Sequence, residues 1–201
     1  MKIARASKLV LMLLLPAWMT LLCTSASGHG NSYVRDACSV THYPDVCIHS
    51  LAPFSQTAKR NPTTWARAGV SVSVGEAKIV VQYLMKLKRY GSMRGRNQVA
   101  LLDCIDCFQN TLDNLHKSLG VIRKLNSKAF VTQMDDITTW LSAAMTDEDT
   151  CLGGFNGQKE KQVRLLCNKV LNMSYITSNA LALVNKLATI GPGSLISTDL
   201  P

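Results

Sequence analysis

Beyond Cys23, this 201-residue chain has no apolar run near the ~18–20 residues needed to cross a bilayer. Histidine is scarce: His29, His42, His49 and His116 are the full set, and no two stand four to six positions apart. That removes the histidine half of a finger-type zinc site. There is no G-x-S-x-G elbow and no glycine-rich phosphate loop. No cysteine is adjacent to another or separated from one by a single residue. Sustained apolar–polar alternation is absent, so nothing reads as a strand. Internal repeats and low-complexity tracts are also missing. These absences exclude a membrane-embedded protein, a β-rich fold and the commoner hydrolase and nucleotide-binding chemistries.

What is present begins with a targeting segment. Lys2, Arg5 and Lys8 precede the apolar run Leu9–Cys23, and the small residues Ser25, Ala26, Ser27 and Gly28 follow. This is the layout of a secretory signal peptide over 1–28, too short for a span, with cleavage expected after Gly28. The expected product is a secreted domain over 29–190 with a loose tail over 191–201, free of the membrane once the signal is removed. It carries nineteen basic against thirteen acidic side chains, a formal charge of +6. Such a charge suits acidic or polyanionic partners. Lys86, Lys88, Arg89, Arg94 and Arg96 cluster, but no nucleic-acid-binding motif accompanies them and export argues against nucleic acid as a partner.

Four long stretches carry helical periodicity. Val70, Val74, Ala77, Val81 and Leu84 mark a helix over about 62–90, with Asn61 as N-cap and Pro62 at the first position. Leu101, Ile105, Phe108, Leu112, Leu115, Leu119 and Ile122 form a heptad seam on the second. Met134, Ile137, Leu141 and Ala144 mark the third, where Thr132 and Asp135 resemble a capping box. The fourth, from about Gln158 to Thr189, turns Val163, Leu166, Val170, Met173, Thr177, Leu181, Val184 and Leu187 inward and stops at Gly191. Short connections make neighbours antiparallel, so the expected fold is all-α, an up-down-up-down four-helix bundle. A small cysteine-bearing helical hairpin precedes it, with Pro44 opening its second helix.

Six cysteines remain after the signal, and six allow 15 pairings. A Cys38–Cys47 bridge would staple the hairpin. Cys104 and Cys151 lie at one end of neighbouring antiparallel helices, so a bridge between them is sterically reasonable. Cys167 lies at that end too, on a helix diagonal to Cys104, and a Cys151–Cys167 pairing is the rival. Cys107 and Cys167 are the candidate free thiols. Cys104-Ile-Asp-Cys107 lacks both the βαβ setting of a redox motif and the second pair of a zinc site. Asp147-Glu148-Asp149 reads as a solvated helix end. No metal, cofactor or catalytic constellation emerges. Asn172-Met-Ser174 is a glycosylation sequon, whereas Pro62 spoils Asn61-Pro-Thr63.

Several segments together resemble the plant invertase/pectin methylesterase inhibitor family. They are Cys38…Tyr43-Pro-Asp-Val-Cys47, Ala100-Leu-Leu-Asp-Cys104, Thr139-Trp-Leu-Ser-Ala-Ala144, Asp149-Thr-Cys-Leu152 and Thr177-Ser-Asn-Ala-Leu-Ala-Leu183. The resemblance spans about 33–190. It implies a four-helix bundle behind a helical hairpin, and bridges Cys38–Cys47 and Cys104–Cys151. It also implies a non-catalytic, free-standing inhibitor of the apoplast and cell wall. The Pro-Lys-Phe tripeptide typical of invertase inhibitors is missing from Gly153–Lys159, and Thr150 before Cys151 fits the methylesterase branch. Pectin methylesterase is therefore the expected partner, with acid invertase as the alternative. The implied mechanism is a one-to-one complex laid across the pectin-binding cleft through the second to fourth helices. Polar residues off the seam are the candidate contacts: Gln109, Asp113, His116 and Lys117 on the second helix, Thr139, Ser142, Thr146 and Thr150 on the third. A lower alternative is a wall protein that binds acidic pectin or another ligand. Lipid carriers of the plant type need the Cys-Cys and Cys-x-Cys pairs that are lacking here.

Overall fold

The structure, a computed structural model, describes residues 27–195. The expected signal segment lies outside these residues except for its last two positions. The chain forms α1 (Ser27–Cys38), α2 (Pro44–Leu51), a 3₁₀ turn (Ala52–Phe54) and α3 (Ser55–Ala58). Four long helices follow: α4 (Pro62–Arg89), α5 (Arg96–Ile122), α6 (Phe130–Gly154) and α7 (Lys161–Ile190). A 3₁₀ helix at Pro192–Leu195 opens the segment expected to be a loose tail, and 196–201 lie outside the described residues. Among the described residues there is no strand.

Each long helix packs chiefly on its two neighbours, in the ring α4–α5–α6–α7–α4. This is the up-down-up-down bundle that short links between amphipathic helices enforce. The seam of α5 is buried at Leu101, Ile105, Phe108, Leu115, Leu119 and Ile122, and half-buried at Leu112. Two further positions expected inside are only half-buried, Val81 on α4 and Leu181 on α7. Val80 and Ala180, one residue earlier, take the core sites. At 100° per residue Val81 stands about 60° round from buried Leu84, and Leu181 about 60° round from buried Val184, so each lies at the edge of its helix's buried stripe.

The helix ends follow from local chemistry. Asn61 caps α4 by accepting the Thr64 N–H at 2.9 Å, with Pro62 in the first turn. Gly95, at φ 54°, turns the chain directly into α5, which begins at Arg96. The expected capping box on α6 does not form. Phe130 is buried and pulls the helix start to itself, which leaves Thr132 inside the first turn. Gln133 Oε1 instead accepts the Asn126 N–H at 2.8 Å, and Asn126 Oδ1 accepts that of Lys128 at 2.8 Å. α7 starts at Lys161, three residues past Gln158, and Gly191 at φ 82° ends it.

Cys104 and Cys151 are bridged across α5 and α6 with Cα atoms 4.4 Å apart, and Cys38 and Cys47 across α1 and α2 at 5.7 Å. In the chain-entropy picture each closure contributes roughly 3–4 kcal/mol. Behind the hairpin, Lys59 takes a left-handed φ of 44°, and its carbonyl accepts the Trp65 indole N–H at 2.8 Å. That bond pins the turn into α4.

The α4–α7 contact is closest at Gly69, where a Cβ would sit 3.2 Å from the Ala180 Cα and 3.2 Å from Leu183 Cδ1. The Ala180 backbone cannot yield as a flexible side chain can. Gly69→Leu is expected to lower stability by about 2–3 kcal/mol through overpacking. Gly75→Ala, with nothing within 4 Å of its new Cβ, is expected to add about 0.5–1 kcal/mol. Urea unfolding of both variants against the parent chain measures the two opposite shifts.

Candidate functional site

A groove of about 670 Å³ runs between α6 and α7. Ser142, Met145, Thr146, Asp149, Thr150 and Leu152 line it from α6, and Leu171, Ser174, Tyr175, Ser178 and Leu181 from α7. Tyr43, from the hairpin turn, closes one side. Most of the polar lining is hydroxyl. Thr146 and Thr150 each donate back along their helix, to the carbonyls of Ser142 (3.1 Å) and Thr146 (2.8 Å). Their methyl groups and outer lone pairs are thereby left at the surface.

One buried amide holds the Tyr43 wall. Asn179, on α7, accepts the Tyr43 N–H at 3.1 Å and donates to the Tyr43 carbonyl at 2.9 Å. Both polar groups of one turn residue are thus satisfied by a side chain 136 positions away. The Tyr43 ring then stacks on Tyr175, centroids 4.0 Å apart. Offset aromatic pairing of this kind contributes about 0.5–1.5 kcal/mol beyond area burial.

Close to the groove, in the α6–α7 seam, lies Glu148, which is 0% exposed. It does not belong to the solvated helix end that the Asp147-Glu148-Asp149 run was expected to form. α6 continues to Gly154, and Glu148 falls four residues after Ala144 and three before Cys151, on the core face. The Thr177 hydroxyl donates to Glu148 Oε1 at 2.8 Å, and Oε2 has no partner. Burial pushes this carboxyl up to about 7. Hydrogen bonding from Thr177, and more weakly from Ser174, pulls it back, and Asp147 and Asp149 push it further up. Ser174 places its own hydroxyl on the Val170 carbonyl at 3.2 Å. At acid pH the neutral acid therefore occupies the seam and avoids the desolvation cost of a buried charge.

All eight residues expected to contact a partner are exposed, but they do not form one face. Ser142, Thr146 and Thr150 enter the groove, and Thr139 continues the outer ridge of α6. On α5 the flank toward α6 is marked by Cys104, through its bridge, and by Thr111, whose hydroxyl points to the Ala144 carbonyl at 3.5 Å. At 100° per residue, Gln109, Asp113 and His116 stand roughly 140–160° round from Thr111, and Lys117 about 120°. They face away from α6. The sequence reading missed the α7 side of the groove and Tyr43. Tyr175 and Ser178 lie off the inner stripe of α7, at spacings from Leu171 and Ser174 that could have marked a second lining.

The remaining sites are dispersed. Cys107 and Cys167 are unpaired and half-buried. Burial raises the Cys107 thiol, helped by Asp147, Asp103 and Asp106, and burial raises Cys167 likewise. Both are held as poorly nucleophilic thiols. Asn172 is exposed and borders a depression with Glu76, Ile79 and Leu165, on the α4 side of α7. Among the described residues no three His, Cys, Asp or Glu side chains gather as a metal site, and no helix is long and apolar enough to cross a membrane.

The chain's relatives agree with this architecture. Residues 32–183 match the model of the plant invertase/pectin methylesterase inhibitor family. The chain is 44% identical to pectinesterase inhibitor 6 of Arabidopsis thaliana over 163 residues, covering 80% of this chain and 78% of that one. It is 33% identical to pectinesterase inhibitor 9 of the same plant over 190 residues, covering 90% and 92%. Among solved structures, a mutant form of an Arabidopsis pectin methylesterase inhibitor superposes with a TM-score of 0.60 at 19% identity, over 74% of this chain and 92% of that one, which shows the shared fold. The chain belongs to the plant invertase/pectin methylesterase inhibitor family, a family of inhibitors and not of catalysts.

Glu148 generates a pH prediction. Its carboxyl titrates near 4.5 when unfolded and near 7 when folded, so the folded chain keeps the proton across that interval. Stability from this group is complete below about 4.5, falls as pH rises toward 7, and is flat above; the loss is roughly 3 kcal/mol. Glu148→Gln, which cannot ionise, is expected to remove that part of the slope. Urea midpoints at pH 5 and pH 7.5 for both proteins measure it, and equal slopes would refute the assignment.

Proposed function

We propose that this inhibitor-family protein is secreted to the plant cell wall, where it binds pectin methylesterase about one-to-one and blocks its pectin-binding cleft. The α6–α7 groove, with its Tyr43–Tyr175 wall, is the contact surface. The observation that carries the reading is the groove itself, found in a chain of this family: hydroxyls from two helices beside a stacked tyrosine pair, on a rigid bundle. Tyrosine supplies large contact area at low entropic cost, and such anchors dominate interface energetics. The groove is open along its length, as suits a ridge of protein more than a small enclosed ligand.

Three further features support the reading. The basic, apolar and small-residue layout of positions 1–28 is that of a cleaved export signal. A neutral Glu148 suits an acidic compartment. Asn172 lies on the α4 side of α7, so a glycan there would stand clear of the groove.

The test is titration of the purified, oxidised protein against a plant pectin methylesterase, with an acid invertase in parallel. Loss of methylesterase activity alone, saturating near equimolar, is the expected result; loss of invertase activity alone would move the target to the other enzyme. Thr146→Arg and Ser178→Arg, on opposite walls of the groove, are each expected to weaken inhibition by about tenfold or more, equivalent to ~1.4 kcal/mol. Gln109→Arg and His116→Arg, which face away from α6, are expected to change it by less than about threefold. Inverted sensitivities would place the contact on α5 instead.

A further inference from the structure

We propose that the corner between α4 and α5 is a docking site for an acidic polysaccharide, the carboxylate-bearing polymer that pectin de-esterification leaves behind. The proposal rests on the inhibitor reading for its biological sense, but its physical basis is separate.

The charge of the chain is concentrated at this corner. Lys86, Lys88, Arg89, Arg94 and Arg96 occupy eleven consecutive positions, with no acid between Glu76 and Asp103. Past residue 28, the rest of the chain carries fourteen basic against thirteen acidic side chains, so these five cations supply nearly the whole net charge. All five are exposed, and none forms an ion pair among the described residues. Three sit in the last turn of α4, where the helix dipole favours cations. That accounts for their tolerance at the helix end and leaves their outward charge unspent.

The corner also offers a place for a sugar ring. Val81, Gln82, Met85, Lys86, Lys88, Arg89 and Tyr90 line a shallow depression. Met85 is 47% exposed and Tyr90 69% exposed, so the floor is an apolar, partly aromatic surface rimmed by cations. Pyranose rings present C–H faces that pack on such a floor, while the carboxylates of a uronic-acid chain meet the rim. A neutral, esterified chain would keep the first contact and lose the second. Three cations round one depression, with Arg94 and Arg96 in the next few residues, fit an extended polyanion better than a single anion. α4 is diagonal to α6 in the ring, so the corner and the α6–α7 groove face different sides of the bundle. The protein can therefore hold polymer and enzyme together, which would concentrate the inhibitor where its target has already acted.

The experiment measures binding of the mature, oxidised chain to immobilised polygalacturonate, fully methyl-esterified pectin and heparin, at low and moderate salt. Binding to polygalacturonate is expected to fall by about tenfold or more when salt is raised across the range where the screening length shrinks below ~10 Å. The triple variant Lys86→Gln, Lys88→Gln, Arg89→Gln is expected to lose about tenfold or more, and Tyr90→Ala about threefold. A control with the same charge change at the far end of α5, Arg123→Gln, Lys124→Gln and Lys128→Gln, is expected to lose less than about twofold. No binding to polygalacturonate, equal binding to esterified pectin or heparin, or equal loss in the control would each overturn the proposal. Methylesterase inhibition is read on the same samples. If the corner variant inhibits normally but no longer binds polymer, the site stands. If the parent binds polymer through the corner but inhibits no methylesterase, the site stands and the enzyme target is what fails.

Discussion

The pairing of Asn179 with both backbone groups of Tyr43 is the contact on which the wall of the α6–α7 groove depends. The hairpin of α1 and α2 is too short to be stable alone; its bridge limits the unfolded chain but does not place it on the bundle. Val34, Cys47 and Leu51 seat its apolar face in the core, and this one amide fixes the turn: it satisfies the Tyr43 N–H and adds a second donor to a carbonyl that also accepts the Cys47 N–H at 2.9 Å. Once Tyr43 is fixed, its ring reaches Tyr175 and closes the side of the groove. The first cysteine loop, the last helix and the candidate interface are thus mechanically one unit.

The two faces of α6 are held by different means. Toward α5 it is fastened covalently through Cys104 and Cys151. Toward α7 it is fastened by packing and by the Glu148–Thr177 hydrogen bond, with one carboxyl oxygen unpaired. A buried acid in a seam is economical only while it is neutral. The α6–α7 side, which carries the groove, is therefore firmest in acid, whereas the covalent tie on the α5–α6 side does not depend on that proton. This asymmetry follows from which residues cross each seam and needs no conformational switch.

Much of the fold was legible in the sequence because the signals are local. The α5 heptads, the Asn61-Pro62 start and the Gly191 stop each act over a few residues. The misses are non-local or depend on small rotations. Thr132 and Asp135 have the spacing of a capping box, but the burial of Phe130 decided where α6 begins. Glu148 sits between a half-buried Asp147 and an exposed Asp149, and only the continuation of α6 to Gly154 puts it on the core face. Gln109, Asp113 and His116 lie off the seam as expected, yet being off the seam does not say which flank a residue takes; the Cys104 and Thr111 contacts settle that. Nothing local in Thr177-Ser-Asn-Ala announces that Asn179 grips a turn 136 residues earlier.

The proposed contact is between pectin methylesterase and the α6–α7 groove walled by Tyr43. Hydroxyl-radical footprinting of the inhibitor, free and saturated with the enzyme, tests it most directly, since it reports side-chain exposure residue by residue. Oxidation of Tyr43, Met145, Leu171 and Tyr175 is expected to fall sharply in the complex, while exposed Met85 on α4 and Tyr90 just after it stay as reactive as in the free protein. Unchanged oxidation in the groove, with protection appearing on α4 or on the outer flank of α5, would contradict it.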